Sequence, residues 1–250
     1  MTKFIQIKTS GFLVLILLIT TVFDVNAQYK YKKDSILSGN LLKKSILPTT
    51  LIGAGLLINN SHFEKNLQTK LRNKVGNEFE YHIDDVTQYI PIVELYLADA
   101  LKIEAKNHWF DQTKYLLISN TITAAITHGL KHSISKVRPN GSADNSFPSG
   151  HTSFAFTNAT VLYNEFSSTS PLLAYSGYAF ATTTGVFRMI NNKHWFSDVL
   201  VGAGIGILVT NLVYYFEPLK SFNPFKNKEN ISLIPQIKGD KYGVYFAYDF

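Results

Sequence analysis

The sequence predicts an all-α fold, a six-helix bundle that carries a small β-hairpin at its C-terminal end. Six apolar runs with few or no charges, spaced as helices would be, follow one another between residues 46 and 216. Of the 250 residues, 46% are hydrophobic and only 17% are charged, which suits one domain with a sizeable core. Apolar and polar residues alternate with a period of two in the tail, the pattern of strands.

The N-terminal segment is typical of a signal peptide. Lys3 and Lys8 precede an apolar core at residues 12–23, and the small residue Ala27 offers a cleavage point. An uncleaved anchor is the alternative, for which the apolar run is rather short. Either interpretation places the rest of the chain outside the cytoplasm, so we expect an exported envelope protein, periplasmic or membrane-associated.

The segments between this leader and the first motif are less regular. Residues 28–44 are polar and basic and are predicted to lie at the surface, whereas residues 59–81 suit an exposed connection or an amphipathic helix. The predicted helices lie near residues 46–58, 85–102, 114–136, 150–166, 171–187 and 196–216. Pro91 is a candidate kink in the second of them. Glu94 and Asp99 in the same helix should face water, a cation or the site, because burying acids against lipid is costly.

The tail is predicted to form a hairpin. Ile231, Leu233 and Ile237 alternate with polar residues, and a Gly239-Asp240 turn leads into a second alternating run that ends at Phe250. We therefore divide the chain into a signal peptide at 1–27, a helical domain at 28–225 and a hairpin tail at 226–250.

The first of three clusters suited to phosphate lies at the end of the third helix. Lys131 and Arg138 are seven residues apart, so on a continuing helix both cations project from one face. Pro139 then predicts that the helix stops at Arg138. Two cations at a helix end form an anion site, although basic residues at this position also simply complement the helix dipole.

The second cluster is Pro148-Ser149-Gly150-His151, ahead of an apolar run. Ser149 is a candidate N-cap, and Gly150 lets the backbone approach a ligand. Free N–H groups at a helix start bind phosphate, and His151 in the first turn is placed to donate a proton to a departing oxygen. Taken alone, the tetrapeptide is equally an ordinary junction between a turn and a helix.

The third cluster combines Arg188, His194 and Asp198. His194 and Asp198 are four residues apart, so on a helix the carboxylate can accept from one imidazole nitrogen and leave the other as a nucleophile or base. Arg188 offers bidentate recognition of phosphate. The pair alone would more often be a surface contact, and it is the combination of three clusters that indicates a catalytic site.

In this order and spacing, the clusters Lys131-x6-Arg138-Pro139, Pro148-Ser149-Gly150-His151 and Arg188-x5-His194-x3-Asp198 resemble the signature of the type 2 phosphatidic acid phosphatase superfamily, which includes bacterial acid phosphatases and vanadium haloperoxidases. The resemblance implies a six-helix core and a phosphatase that needs no cofactor and no metal. It also implies the roles: His194 as nucleophile, Asp198 as its orienting acid, and His151 as the acid for the leaving group. Lys131, Arg138, Ser149, Gly150 and Arg188 would bind phosphate.

One position departs from the family pattern. The third motif usually begins with Ser-Arg, and Phe187 replaces the serine here, which removes one hydroxyl contact. Phe187 favours one alternative, a catalytically silent envelope protein, and two others also stay open beside a lipid phosphatase: a soluble periplasmic acid phosphatase and a vanadium-dependent haloperoxidase. The retained His151, His194 and Asp198 argue against the silent protein, because a binding protein needs no nucleophile.

The expected partners follow from charge and composition. A net charge of +6 suits an anionic substrate or a lipid headgroup surface, and the sequence has no Lys/Arg block that would indicate nucleic-acid binding. The 250 residues include no cysteine, which excludes thiolate metal sites. His128 and His132 have the spacing of a helical metal pair, but no third ligand is evident, so no metal is predicted. We expect a phosphorylated lipid or small phosphoester as substrate and contact with a membrane. The early helices are not expected to span it, whereas the uncharged later runs, especially residues 199–216, are near the length of a span, and the number of spans stays open.

Overall fold

The computed structural model describes residues 35–76, 78–223, 231–238 and 241–248. The predicted signal peptide lies outside the described residues. These contain eight helices: α1 Ser35–Ile58, α2 His62–Val75, α3 Ile83–Thr87, α4 Ile90–Ala100, α5 Trp109–Ser133, α6 Gly150–Phe166, α7 Pro171–Ile190 and α8 Phe196–Phe216.

Helix α6 lies at the centre of the bundle. It packs against α5, α7 and α8, and α1 lies along the other side of α8. Most of its residues are buried, including Val161, Leu162 and Phe166, which form one apolar core with Leu95 and Val213. The N-terminal end of this central helix carries the second motif, so the packing of α6 fixes where the other motifs must meet.

Helix α1 is longer than the sequence analysis predicts. It begins at Ser35 rather than near residue 46, because the polar segment before the apolar run is helical too, and Pro48 lies within it. Two helices in the described residues are long and apolar enough to cross a membrane, at residues 41–58 and 196–216. The first window is only 11% buried and the second is 67% buried. Burial makes α8 resemble a core helix, whereas α1 leaves apolar side chains exposed.

The second predicted helix is divided into α3 and α4, with the break at Gln88 and Tyr89. Pro91 lies in the first turn of α4, where its missing N–H costs nothing, so it starts a helix instead of kinking one. Glu94 and Asp99 point away from the motifs: Glu94 accepts a hydrogen bond from Ser176 and Asp99 from Gln112. The short helix α3 directs Asp84 inward.

Helix α5 ends at Ser133, five residues before Arg138. The prediction that Lys131 and Arg138 share one helical face is therefore wrong. The chain instead becomes extended at Ile134 and doubles back on itself, with the Lys136 N–H donating to the Asp144 carbonyl at 2.8 Å. This loop, rather than a helix face, carries Arg138 towards the other cations.

Close approach of α8 to α6 depends on glycine at residues 202 and 206. A Cβ atom on Gly202 would lie 2.7 Å from the Ser149 carbonyl oxygen, and one on Gly206 would lie 2.5 Å from the Ser153 carbonyl oxygen. Both distances are too short for any side chain, so the helix backbones touch here. The contact brings the start of α8, with Asp198, next to the start of α6.

The tail contains two strands, β1 Ile231–Lys238 and β2 Lys241–Tyr248. They pair antiparallel, with Ile231 opposite Tyr248 and Lys238 opposite Lys241. They occupy the positions at which the sequence analysis places the hairpin.

Candidate active site

His194 lies at the centre of the candidate site, in the turn between α7 and α8. The N–H of His194 donates to the Arg188 carbonyl at 3.1 Å, which fixes the turn, and the side chain is only 2% exposed. Burial lowers the pKa of the imidazole to about 4, partly opposed by Asp198 and assisted by Arg188 and Lys131. The ring is therefore neutral at pH 7. Its Nδ1 lies 3.5 Å from Asp198 Oδ2, so Nε2 is on the edge turned away from the acid.

Asp198 is held in place by several donors. Its Oδ2 accepts from the Trp195 N–H at 2.9 Å and from the Ser146 hydroxyl, and its Oδ1 accepts from Lys136 Nζ at 2.8 Å. Ser146 Oγ also lies 3.5 Å from His194 Nδ1. With this many donors the carboxylate stays ionised and cannot rotate, which makes it a fixed acceptor for an Nδ1–H proton.

Lys136 forms a buried charge network that the sequence analysis did not find. Its ammonium group is 2.8 Å from Asp198 Oδ1, 2.7 Å from Ser197 Oγ and 3.3 Å from Glu64 Oε2. Glu64, on α2, is 1% exposed and also accepts from the Ser197 N–H. Lys136 lies inside the first motif, yet nothing in its spacing shows that it faces inward, and Glu64 gives no signal in its polar segment.

Ser149 joins the start of α6 to α8. Its side chain caps α6 by accepting from the Thr152 N–H, and its own N–H donates to the Asp198 carbonyl at 3.0 Å. The Ser149 N–H therefore joins α6 to α8, and phosphate binding by Ser149 stays a prediction. By helix geometry, the N–H groups of Gly150 and His151 in the first turn lack intrahelical partners and are the ones available to an anion.

The cations of the first and third motifs lie close together. Burial and the neighbouring charges of Arg138 and Arg188, opposed by Asp198, lower the pKa of Lys131 to about 8. Lys131 Nζ donates to the Asn145 carbonyl at 2.7 Å, and its Cε would lie 3.8 Å from a Cβ on Gly150. Burial and the charge of Arg188 likewise lower the pKa of Arg138. Three positive charges thus surround the start of α6.

Two of these cations have donors that no described group accepts. The Nε atoms of Arg138 and Arg188 are buried and, among the described residues, have no hydrogen-bond partner. A buried donor without an acceptor costs roughly 1–3 kcal/mol. Two such guanidinium donors at a cluster of like charges indicate a site for an anion, which would satisfy both.

Arg188 is oriented by Asp84. The guanidinium NH1 donates to Asp84 Oδ2 at 2.7 Å, and Asn191 Nδ2 donates to the other oxygen at 2.8 Å. Asp84 is 1% exposed. Asp84 belongs to none of the three sequence motifs, and its partner Arg188 lies 104 residues away, so the sequence analysis did not find this pair.

His151 is paired with the next residue of α3, Asp85. His151 Nε2 lies 3.0 Å from Asp85 Oδ1, and His82 Nδ1 lies 3.2 Å from the other oxygen of the same carboxylate. Burial and Arg188 lower the pKa of His151, whereas Asp85 and Asp84 raise it. Arg188 thus acts on the pKa of both His151 and His194, so the two histidines border one electropositive site.

Among the described residues, one group of side chains could act as ligands to a metal ion. Ligand atoms of Asp84, Asp85 and His151 lie within 4.8 Å of one another. Asp84 is already neutralised by Arg188, and a metal ion beside that guanidinium would be repelled. His128 and His132 lie with ring centroids 4.2 Å apart, and the His132 Nδ1 is 2.9 Å from the His128 carbonyl oxygen.

A protein family matches the part of the chain that carries the three motifs. Residues 112–221 match the PAP2 superfamily model, and the chain carries a PAP2 superfamily domain. The match begins in α5 and ends just after α8, so it includes all three motifs.

A relative in Porphyromonas gingivalis, described as lipid A 1-phosphatase, is 35% identical over 184 residues. The alignment covers 72% of this chain and 39% of that protein, so the chain matches about two fifths of the relative's length.

Two crystal structures are also similar. LpxE of Aquifex aeolicus is 20% identical with a TM-score of 0.47, over 64% of this chain and 98% of that one. A transmembrane PAP2 type phosphatidylglycerolphosphate phosphatase from Bacillus subtilis is 17% identical with a TM-score of 0.42, over 87% and 98%. Both TM-scores are below 0.5, so neither likeness carries weight for the fold.

Proposed function

We propose that this chain is an exported phosphoric ester hydrolase of the cell envelope, which removes phosphomonoester or pyrophosphate groups from lipids through a phosphohistidine. The observation that carries the proposal is the neutral, buried His194. Its Nδ1 faces Asp198. The charges of Arg188 and Lys131 lower the pKa of His194, and the charge of Arg188 also lowers the pKa of Lys131 and of Arg138, so these groups lie close together.

Binding comes first. The phosphoryl oxygens lie among Lys131, Arg138 and Arg188, where the free Nε donors of both arginines gain an acceptor. The N–H groups of Gly150 and His151 add the field of the α6 N-terminus. Preorganised donors of this kind typically contribute a few kcal/mol each to a transition state that carries more negative charge. The missing hydroxyl at Phe187 leaves these donors in place.

His194 then attacks. Its Nδ1–H donates to Asp198, so the lone pair on Nε2 forms the new bond to phosphorus as the bond from phosphorus to the leaving oxygen breaks. Asp198 stabilises the imidazolium that develops, and it stays ionised because Lys136 and Ser146 donate to it.

His151 completes both halves of the reaction. In its protonated form it donates a proton to the leaving oxygen, and the alcohol or phosphate product departs. Now neutral, His151 accepts a proton from water as the water oxygen attacks phosphorus, which breaks the N–P bond and releases inorganic phosphate. Asp85 holds the imidazole by its Nε2 and keeps the pKa of His151 from falling further.

A lipid substrate and a location in the envelope are supported by two observations. The relative in Porphyromonas gingivalis is described as acting on lipid A. In addition, α1 exposes apolar side chains over a length that suits a membrane, including Leu42, Ile46 and Leu57.

Activity of the His194→Gln variant tests the proposal. With 4-nitrophenyl phosphate and a phosphorylated lipid as substrates, we expect kcat to fall by about 10³-fold or more, since the nucleophile is lost. The His62→Gln variant is the control, because His62 is exposed at the start of α2. If the His194→Gln protein keeps most of the wild-type activity, or if the wild type hydrolyses neither substrate, the proposal fails.

A further inference from the structure

Three side chains of α2 bind the segment that carries His194. Of the residues of α2, all of which the structure describes, only Glu64 and Gln68 are buried, and both are polar. Helices usually join a core through an apolar face, so α2 is attached in a different way. Glu64, Gln68 and Arg72 follow one another at intervals of four residues and therefore lie along one face of the helix.

Gln68 contacts the beginning of the turn between α7 and α8. Its Nε2 donates to the Met189 carbonyl at 3.0 Å and to Asn192 Oδ1 at 2.7 Å. Asn192 has a φ of 59°, in the left-handed region that asparagine adopts more readily than most residues other than glycine. The two hydrogen bonds of Gln68 thus hold the backbone where the chain reverses, just before His194.

The other two side chains bind the two ends of the same segment. Arg72 NH1 donates to the Ile190 carbonyl at 2.9 Å, at the last residue of α7. Glu64 Oε1 accepts from the Ser197 N–H at 2.9 Å, in the first turn of α8. Helix α2 is therefore bonded to the chain on both sides of His194.

The phosphate-binding cations are oriented by other elements. Asp84 on α3 accepts from the guanidinium of Arg188 at 2.7 Å, and Lys131 donates to the Asn145 carbonyl at 2.7 Å. Loss of a contact from α2 should therefore displace the nucleophile and leave these cations in place. That difference separates the position of His194 from the binding of phosphate.

We infer that α2 is a positioning element for catalysis, in which Gln68, together with Glu64 and Arg72, sets the place of the His194 imidazole relative to the bound phosphate. The inference rests on the proposed function and gives a role to residues that precede 112–221, the part of the chain that matches the family. A misplacement of about 1 Å can slow a reaction about 10²-fold, so a helix that does not touch the substrate can have a large effect.

Two buried glutamines provide a matched pair for the test. Gln68 is 5% exposed and Gln112 is 0% exposed, and the Oε1 atom of each has no hydrogen-bond partner among the described residues. The Nε2 of Gln112 also donates twice, to Asp99 Oδ1 and to the Asn107 carbonyl, each at 3.0 Å. Methionine is similar in size and flexible but has no N–H, so either Gln→Met variant loses two hydrogen bonds. Only Gln68→Met releases the turn of His194.

The experiment measures kcat and KM for 4-nitrophenyl phosphate, and the inhibition constant of inorganic phosphate, in the wild type and both variants. For Gln68→Met we expect kcat to fall at least about tenfold while KM and the inhibition constant stay within about threefold, because the nucleophile moves and the cations do not. For Gln112→Met we expect a kcat within about twofold of the wild type. Thermal unfolding should show a similar loss of stability in both variants, since each loses the same kind of hydrogen bonds.

A kcat that falls equally in the two variants, or that stays within about twofold of the wild type in Gln68→Met, would show that α2 has no positioning role, although the phosphatase assignment would stand. Should Gln68→Met not fold, Arg72→Met replaces it against the same control and with the same expected values, because it loses the bond to the Ile190 carbonyl. If the wild type hydrolyses no phosphate ester, the proposed function itself is contradicted, and the inference fails with it.

Discussion

Among single residues, His151 has a partner from a distant part of the chain. Asp85 lies 66 residues earlier and approaches Nε2 at 3.0 Å, and its contact raises the pKa of His151 against burial and the charge of Arg188. We regard Asp85 as a positioning residue. It acts through His151 and, on the proposed mechanism, sets how much of the imidazole is protonated.

The Asp85→Asn variant tests this role through pH dependence. Without the carboxylate the pKa of His151 falls further, so the acid form is lost at lower pH, and the alkaline limb of kcat/KM should move to lower pH. Phenyl phosphate, whose leaving group needs a proton, should lose about tenfold more activity than 4-nitrophenyl phosphate. Equal losses on both esters with an unmoved pH profile would show that Asp85 has no part in proton transfer.

Substitution of Lys136 provides a second test, because its positive charge neutralises two buried carboxylates. Replacing it by methionine leaves Glu64 and Asp198 without their cation, which typically costs about 3–5 kcal/mol. The control is Lys193→Met, which breaks a partly exposed pair with Glu80 that should contribute less than about 1 kcal/mol. Thermal unfolding in detergent compares the two, and a Lys136→Met protein as stable as Lys193→Met would contradict the network.

The sequence indicated the motif residues but not what holds them. Lys131, His151 and His194 stand in recognisable spacing, so their proximity could be predicted without coordinates. The contact from Glu64 to Ser197 spans 133 residues, and no local periodicity reports it. Ser149 was placed correctly as a helix cap, but its N–H partner on α8 depends on how two helices pack, which spacing does not show.

Among the elements, the contact between α6 and α8 matters most, because it brings Asp198 beside Ser149. Gly206→Ala would place a Cβ 2.5 Å from the Ser153 carbonyl oxygen, and a backbone atom cannot move aside cheaply. We expect a loss of roughly 1–3 kcal/mol in unfolding free energy.

Gly129→Ala is the matched control, since a Cβ there meets nothing within 4 Å in a regular helix. It should stabilise the protein by about 0.5–1 kcal/mol. Opposite signs in thermal unfolding are therefore expected. Two alanine variants with the same effect would show that the helices do not pack as closely as described.

Element boundaries show where sequence patterns stop being informative. The apolar runs located α6 and α8 closely, because both helices are buried over most of their length. The predicted start of α1, near residue 46, is too late, because the first turns of this helix are polar and lie before the apolar run that indicated it. The predicted end of α5 is also too late. Pro139 sets only the last residue that the helix could reach, and the helix ends before it, at Ser133.

At the scale of the whole molecule, the bundle gathers three motifs from residues 131–198 at one end of α6. Helix α5 carries Lys131, the loop after it carries Arg138, the last turn of α7 carries Arg188, and the turn between α7 and α8 carries His194. The net charge of +6 favours approach to anionic lipid, and the exposed side of α1 offers apolar contact. The same arrangement suits both the proposed chemistry and the proposed location at a membrane.

The central claim is that His194 becomes covalently phosphorylated. Wild-type protein mixed with a phosphorylated substrate, stopped in alkali and digested should yield a peptide that carries one phosphoryl group on His194 in its mass spectrum. The His194→Gln protein should yield none. A phosphorylated residue elsewhere, or turnover of substrate without any phosphopeptide in the wild type, would contradict the account.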